Sequence, residues 1–345
     1  MGRRCLAHFR ALFRHRADGV TPWPRWLPLP HPQGEESHLP KSHTWRQWLD
    51  REAWRKAIIA IPYLWLLIFF IAPCFIVIAI SVGTAQVGIP PVIWKDSFPF
   101  GTFDNYVFLT QDDIYWQGYL NALRIAVIST FFALLLGYPM ALGIARASGA
   151  WRNVLLLLVI LPFWTSFLLR VYAWIGLLGN TSWFNRGLTS IIGTFFPFWV
   201  QGDHIQMMNT NFAIVLGIVY SYLPFMILPL YATLEKLDRT LDEAAMDLGS
   251  KPWQVFKDIT LPLSVPGIVA GAMLVFIPAT GEYVIPSLMG RGDSPMIGRV
   301  LADEFFQNRD WPVASSVAVA LLAILVIPIM IYNFFQTRDA QAGAK

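Results

Sequence analysis

Three charged side chains lie in otherwise apolar stretches of the sequence, and they are the first candidates for chemistry: Arg124, Arg170 and Glu282. A charge at the centre of a bilayer costs about 2.5–3.5 kcal/mol or more, so such residues are functional candidates by default. In one interpretation Glu282 pairs with an arginine and fixes helix register, while Arg124 extends to the membrane surface. In the other, Glu282 faces a pathway and binds an ammonium group. Aromatic faces for that group would come from Trp164, Trp174, Tyr220 and Tyr222.

Long apolar segments would hold these residues in place. Of the 345 residues, 55% are hydrophobic and 14% are charged, which is outside the range of ordinary soluble domains. A membrane-spanning helix needs about 20 mostly apolar residues. Such segments lie near Ile58 to Val82, Leu120 to Ala145, Val154 to Leu178, Phe212 to Leu234, Leu263 to Ser287 and Val313 to Phe335. We therefore predict an all-α, polytopic membrane protein with about six transmembrane helices.

The distribution of basic residues predicts the orientation in the membrane. Residues 1–56 hold far more Lys and Arg than Asp and Glu, and the second and fourth connections and the tail are also basic. Cytoplasmic loops carry such an excess, so both termini are predicted to be cytoplasmic. The chain then divides into an N-terminal arm (1–56), a six-span domain (57–335) and a tail (336–345). Trp45 to Lys56 is either an interfacial helix on lipid or a charged flank.

The sequence lacks the residue patterns for metal, nucleotide and nucleic-acid binding. The histidines at 8, 15, 31, 38, 43 and 204 lie outside the predicted spans and form no HExxH pair, so no metal site is predicted. No GxxxxGK[ST] phosphate loop occurs. The net charge of +4 is too small and too localised to indicate nucleic-acid binding. We expect no catalytic residues and no bound cofactor on this chain.

Prolines and small residues within the spans predict kinks and close packing. Gly267 and Gly271 form a small-xxx-small pair, which suits packing inside one subunit or at a subunit interface. Prolines at 162, 224, 229, 278 and 286 interrupt helices. The carbonyl groups freed at such sites are tolerated in lipid only against protein or a water-lined cavity. The kinks either surround a pathway or serve packing alone.

The connection between the fourth and fifth spans, residues 235–260, has the pattern of a helix–turn–helix. Apolar residues recur at helical spacing at Leu237, Leu241, Ala244, Ala245 and Leu248. Thr240 followed by Glu243 fits a capping box. Gly249 suits a left-handed C-terminal cap, and Pro252 suits the first turn of a second helix. We predict two short helices over about 237–258.

The spacing of this segment resembles the EAA signature of ABC importer permeases. The matching residues are Glu243-Ala244-Ala245, Gly249 and Ile259-Thr260-Leu261-Pro262. From about Ile61 to Phe335 the chain is also similar to polyamine permeases, for example through Leu161-Pro162-Phe163-Trp164-Thr165-Ser166-Phe167 and Gly281-Glu282-Tyr283-Val284-Ile285-Pro286. The resemblance implies the type I ABC importer permease fold. It also implies that Glu243, Ala244, Ala245, Gly249, Ile259, Leu261 and Pro262 couple the chain to a separate ATPase subunit.

The resemblance further implies a set of partners in the bacterial inner membrane. These are a second, similar permease subunit, two ATPase subunits that hold ATP and Mg, and an extracytoplasmic solute-binding protein. The binding protein would dock on the outer loops, residues 90–119, 180–210 and 287–312. The sequence does not decide whether the transported solute is putrescine, spermidine or another small solute.

Two other functions, a secondary carrier and a membrane-embedded enzyme, fit the sequence less well than a permease subunit does. A gradient-driven secondary carrier would normally show internal repeats and its own ion-coupling residues. A membrane-embedded enzyme would need histidines, paired acids or a nucleophile arrangement within the spans. The complete EAA-like spacing favours a permease subunit over both.

Overall fold

The computed structural model describes residues 52–94, 101–195, 204–292 and 295–342. It divides into two units, Met1–Leu64 and Trp65–Lys345. In the first unit, residues 52–64 are described, and they belong to helix α1, Glu52–Leu66. The predicted N-terminal arm, and the interfacial helix up to residue 51, lie outside the described residues.

The second unit is mainly helical. Its helices are α2 (Ala72–Ser81), α3 (Asp104–Gln111), α4 (Asp113–Arg146), α5 (Gly149–Ile160), α6 (Phe167–Leu178), α7 (Trp183–Phe195), α8 (Asn211–Leu234), α9 (Arg239–Asp247), α10 (Pro252–Val255), α11 (Leu261–Thr280), α12 (Val284–Met289), α13 (Ile297–Asp303) and α14 (Trp311–Ala342). π-Helical turns cover Leu67–Ile71, Phe256–Thr260 and Glu304–Asn308, and a 3₁₀ turn covers Leu161–Trp164.

One small element departs from the all-α prediction. Strands β1 (Thr84–Ala85) and β2 (Val92–Ile93) pair in antiparallel register, with Thr84 opposite Ile93. The β-branched Val92 and Ile93 favour this extended conformation. The β1–β2 pair follows α2 directly and leaves the helical architecture unchanged.

The six predicted apolar segments all fall on helices. Among the described residues, four helices are long and apolar enough to cross a membrane, or five when a bent pair counts as one span. The four are Ile58–Ser81, Asp113–Arg146, Asn211–Leu234 and Pro252–Thr280. The sixth predicted span lies in α14, Trp311–Ala342. That helix continues to Ala342, so most of the predicted tail is helical.

The third predicted span, Val154 to Leu178, is not one continuous helix. Gly149–Trp164 and Phe167–Leu178 meet at a bend of 90°. Pro162 lies at the start of the 3₁₀ turn, and Thr165 beyond it is extended. A proline cannot donate its backbone nitrogen to a helix, which explains a break at this place.

The fifth predicted span also needs a correction, because α11 ends at Thr280 and not near Ser287. Gly281 caps α11, and the short helix α12 begins only at Val284. The intervening residues turn the chain and bring Glu282 into the protein interior, where 8% of the residue is exposed.

Helices α4, α8 and α11 pack against one another and form the centre of the second unit. Two apolar clusters lie along α4 and α8, one around Ile125 and Ile214 and the other around Ala141 and Leu230. The Tyr138 hydroxyl of α4 and the Ser264 hydroxyl of α11 are hydrogen-bonded at 2.9 Å. This buried polar contact fixes α4 against α11 where both are otherwise apolar.

The glycine pair of α11 packs within the subunit, against α8. A Cβ on Gly267 would lie 2.8 Å from the Thr233 Cβ, and one on Gly271 would lie 3.0 Å from the Met226 carbonyl oxygen. Both distances are shorter than ordinary van der Waals contact. The two helices therefore approach as closely as they do only because these positions lack a side chain.

We predict that Gly267→Ala lowers the free energy of unfolding by about 1–3 kcal/mol, since an added methyl group would force the two helices apart. Thermal unfolding of the detergent-purified chain measures the effect. Gly143→Ala is the matched control, because a Cβ on Gly143 of α4 meets nothing within 4 Å. Equal unfolding midpoints for the two variants would contradict the packing role.

Candidate functional site

The connection between α8 and α11 forms the predicted helix–turn–helix, here named the hairpin segment (Asp238–Thr260). Its first helix, α9, is capped by Asp238, whose Oδ1 accepts a hydrogen bond of 3.0 Å from the Thr240 backbone N–H. This bond also holds the pKa of the Asp238 carboxyl below its usual range. The predicted capping box on Thr240 and Glu243 is wrong, because Asp238 takes the N-cap position and places Thr240 inside the helix.

The turn after α9 is the one predicted from Gly249. This residue has a φ of 89°, a left-handed conformation that glycine adopts without steric cost. The backbone N–H of Gly249 donates to the Met246 carbonyl at 2.9 Å, and that of Ser250 donates to the Ala245 carbonyl at 3.0 Å. Both bonds satisfy carbonyl groups at the end of the helix. Pro252 then begins α10, as predicted.

The outer side of the hairpin segment is uncovered. Glu243 and Ala244 are exposed, and Glu243 has no hydrogen-bond or ion-pair partner within the described part of the chain. Apolar side chains beside them are exposed as well, and Leu248 is 89% exposed. A carboxylate, small residues and exposed leucine together make a surface suited to another protein.

The second half of the hairpin segment is anchored in the bundle. Val255 is buried, and the Phe256 ring meets the Tyr138 ring of α4 edge-on, with 5.6 Å between centroids. Leu261 packs on the same apolar cluster. Ile259 is half-buried and Pro262 is exposed in the first turn of α11. The segment thus has one exposed helix and one fixed end.

Glu282 lies at the other end of α11, in a polar environment made by two elements. Its Oε2 accepts a hydrogen bond of 2.6 Å from the Tyr222 hydroxyl of α8. Its Oε1 accepts from the backbone N–H groups of Val284 at 2.9 Å and Ile285 at 3.4 Å, at the start of α12. Such donors offset the cost of burying a carboxylate. A carboxylate has about four lone-pair sites, so some acceptor capacity remains.

Glu282 opens onto a cavity of about 490 Å³, here named the aromatic cavity, which lies between α6, α8 and α11. Phe163, Phe167, Tyr222 and Phe225 are among its lining residues, and Arg170 also lines it. Phe163 and Phe225 meet edge-on with ring centroids 5.2 Å apart. Carboxylate and aromatic faces in one cavity are the chemistry that binds an ammonium group.

The predicted ion pair between Glu282 and an arginine is not formed within 4.0 Å among the described residues. The Arg170 guanidinium instead lies over the Phe163 and Phe167 rings, with Cζ 5.6 Å and 5.9 Å from their centroids. Its Nε is buried and has no hydrogen-bond partner among the residues that the structure describes. Arg124 is exposed on α4 and does not line the aromatic cavity.

Only one of the four predicted aromatic residues, Tyr222, reaches this cavity. Trp164 ends the 3₁₀ turn and is 78% exposed. Trp174 and Tyr220 pack edge-on against each other, with ring centroids 5.4 Å apart. The other rings that line the cavity belong to Phe163, Phe167 and Phe225. Phe163 and Phe167 lie on either side of the bend between the 3₁₀ turn and α6, so their orientation depends on a bend that the apolar pattern did not predict.

No group of three or more His, Cys, Asp or Glu side chains that could hold a metal ion occurs within the ranges that the structure describes.

Known proteins with similar sequences are transport proteins. The profile of the family "Binding-protein-dependent transport system inner membrane component" matches residues 133–338. The spermidine/putrescine transport system permease protein PotB of Haemophilus influenzae is 36% identical over 283 residues, which cover 81% of this chain and 92% of that protein. PotB of Escherichia coli K12 is 36% identical over 274 residues, covering 78% of this chain and 92% of the relative.

The fold likeness extends to a solved structure of low sequence identity. This is a bacterial alginate ABC transporter in complex with an alginate pentasaccharide-bound periplasmic protein. The match has a TM-score of 0.63 at 17% identity and covers 86% of this chain and 98% of the matched one. The family profile covers more than half of the chain, and relatives over a third identical span most of it. The chain therefore belongs to the binding-protein-dependent transport system inner membrane components and is a multi-pass permease subunit of an ABC importer in the bacterial inner membrane.

Proposed function

We propose that this permease subunit imports a polyamine such as putrescine or spermidine, and that ATP hydrolysis on partner chains reaches it through the hairpin segment. It would pair with a second, similar permease subunit, stand on two ATPase subunits that bind ATP and Mg, and receive solute from an extracytoplasmic binding protein. The single observation that carries the proposal is the aromatic cavity, where the Glu282 carboxylate faces phenylalanine and tyrosine rings.

The exposed face of α9 supports the assignment of the hairpin segment to the ATPase. Glu243 offers an unpartnered carboxylate, Ala244 allows another backbone to approach, and Leu248 offers apolar area. A basic side chain of the partner would donate a charge-assisted hydrogen bond to the Glu243 carboxylate. Since the segment lies in a connection predicted to be cytoplasmic, it is accessible to a cytoplasmic ATPase.

Arg170 favours a second class of cargo that the same cavity could take. Its guanidinium lines the aromatic cavity together with Glu282. A solute with both an ammonium and a carboxylate group would satisfy both side chains, whereas a diamine would have to displace Arg170 from the rings. The alternative function is therefore import of another small solute, of which an amino acid with separated charges is the form that Arg170 favours.

The proposal predicts a cargo-specific stimulation of the purified assembly. Permease pair, ATPase subunits and binding protein are reconstituted in liposomes, and solute-stimulated ATP hydrolysis and uptake are measured. Putrescine or spermidine should stimulate both, while the neutral isostere 1,4-butanediol should not, because it has no charge for Glu282 to bind. Stimulation by 4-aminobutanoate alone would favour the alternative. Uptake driven by an ion gradient without ATP would instead indicate a secondary carrier.

We predict that Glu243→Ala lowers uptake and ATPase co-purification about 10-fold or more, because a hydrogen bond to a charged group contributes about 1.5–3 kcal/mol. The thermal stability of the permease should stay unchanged, since Glu243 is exposed and has no hydrogen-bond or ion-pair partner in the described part of the chain. Asp104→Ala, which removes an exposed carboxylate from α3 in a predicted outer loop, is the control for ATPase co-purification alone. If the ATPase co-purifies with the Glu243→Ala variant as well as with the unmodified chain, the hairpin segment does not form the ATPase interface.

Glu282→Gln should impair polyamine uptake while leaving the assembly intact. The amide keeps the size of the side chain but loses the charge that an ammonium group would meet. Tyr222→Phe is the matched control, because it removes the same 2.6 Å hydrogen bond and keeps the carboxylate. Uptake should fall further in Glu282→Gln than in Tyr222→Phe at equal thermal stability. A fully active Glu282→Gln variant would end the idea that this carboxylate contacts the solute.

A further inference from the structure

The exposed helix α9 is tied to the end of α4 by polar contacts that span long sequence distances. The Arg146 Nη2 lies 3.1 Å from the Asp242 Oδ2, which joins the last residue of α4 to the first turn of α9. The Arg239 Nη2 donates to the Ala145 carbonyl oxygen at 3.2 Å. The other Asp242 oxygen accepts from the Thr260 hydroxyl at 3.4 Å. We name these residues the α4–α9 brace.

The brace satisfies groups that the ends of helices leave open. The Ala145 carbonyl is one of the last carbonyls of α4, which have no partner inside that helix. The cationic side chains of Arg146 and Arg239 lie at the same end, where the helix dipole is negative. Thr260 is only 3% exposed, so its hydroxyl also needs the acceptor that Asp242 supplies.

These contacts matter because α9 is only weakly packed. The helix has no buried residue, so apolar packing does not fix its direction. Its chain neighbours attach it to α8 and α10, but the contacts with the end of α4 are the polar ones of the brace. A movement of α9 would therefore reach α4, and the packed bundle behind it, through Asp242 and its partners.

The brace lies beside a cavity of about 400 Å³ that Arg146, Arg152, Arg239, Asp242 and Thr260 line. The side chains of Arg146 and Asp242 are 53% and 25% exposed. Ion pairs in contact with water contribute little to folding stability. Such a pair can break and form again during a working cycle without unfolding its surroundings.

We propose that Asp242, held by Arg146, is a positioning residue that transmits the displacement of α9 to α4, so that ATP hydrolysis and solute movement stay coupled. This inference rests on the proposed function, because it assumes that an ATPase moves the hairpin segment. Asp242 acts inside this chain, one residue before the carboxylate assigned to the ATPase contact.

The test is a double-mutant cycle of Arg146→Gln and Asp242→Asn in the complete reconstituted assembly. The readout is the number of putrescine molecules imported per ATP hydrolysed, with ATPase co-purification and thermal stability measured alongside. Each single variant should lower the ratio about threefold or more at unchanged co-purification and stability. The double variant should be no worse than the poorer single one, because the two residues act as a unit.

Glu235→Gln is the matched control. It breaks a comparable ion pair, in which the Arg152 Nη1 of α5 lies 2.7 Å from the Glu235 Oε1 after α8. That pair does not involve α9, so the transport-to-ATP ratio should stay unchanged. An equal loss in Glu235→Gln, an unchanged ratio in both brace variants, or a loss that follows thermal stability would overturn the brace.

The two proposals fail in distinguishable ways. If Arg146→Gln or Asp242→Asn releases the ATPase, those residues belong to the docking surface and the brace is wrong. If Glu243→Ala keeps the ATPase bound, the proposed coupling surface is wrong whatever the brace variants do. If the ATPase binds through Glu243 but the ratio is insensitive to the brace, only this inference falls.

Discussion

The close approach of α8 and α11 is the constraint on which both functional regions depend. α11 begins directly after the hairpin segment and ends at Thr280, which Gly281 and Glu282 follow. α8 carries Tyr222, the partner of Glu282, and ends shortly before Asp238. Because Gly267 and Gly271 leave room for Thr233 and Met226 of α8, the two helices pack closely against each other. A displacement at one end is then felt at the other, since packed cores do not deform continuously.

The two carboxylates to which the proposed function assigns roles, Glu243 and Glu282, differ in environment. Glu243 is exposed and has no partner within the described part of the chain, so it is free for an intermolecular contact. Glu282 is almost buried and receives one hydroxyl and two backbone N–H donors. That carboxylate fixes the turn between α11 and α12 whether or not a solute is present. Any contact with an ammonium group uses the acceptor capacity that remains, which is why the Tyr222→Phe control is needed beside Glu282→Gln.

Much of the fold followed from the sequence because lipid permits few alternatives. A backbone in hydrocarbon must satisfy its own hydrogen bonds, so long apolar segments predict helices, and all six predicted segments are helical. The turn at Gly249 was also predictable, since few residues other than glycine accept a φ of 89°. The cap at Asp238 was missed because Thr240 offered an equally good local pattern. Local sequence alone does not decide between two such caps.

The site was less predictable than the fold because its walls depend on breaks in helices. The bend of 90° near Pro162 and the end of α11 at Thr280 decide which aromatic rings surround Glu282. A hydropathy pattern extends through both places without a signal. Trp164 was therefore assigned to a pathway that it does not line, and Phe163 beside it was missed.

Arg170 completes the electrostatic picture of the aromatic cavity. Its guanidinium occupies two of the rings that a solute ammonium would use, and its Nε lacks a hydrogen-bond partner within the described part of the chain. The Arg170 guanidinium lies over the rings and forms no ion pair with Glu282 within 4.0 Å among the described residues. Under the proposed function, a cationic solute that enters the aromatic cavity would compete with Arg170 for the rings, so this side chain would influence the affinity for the solute.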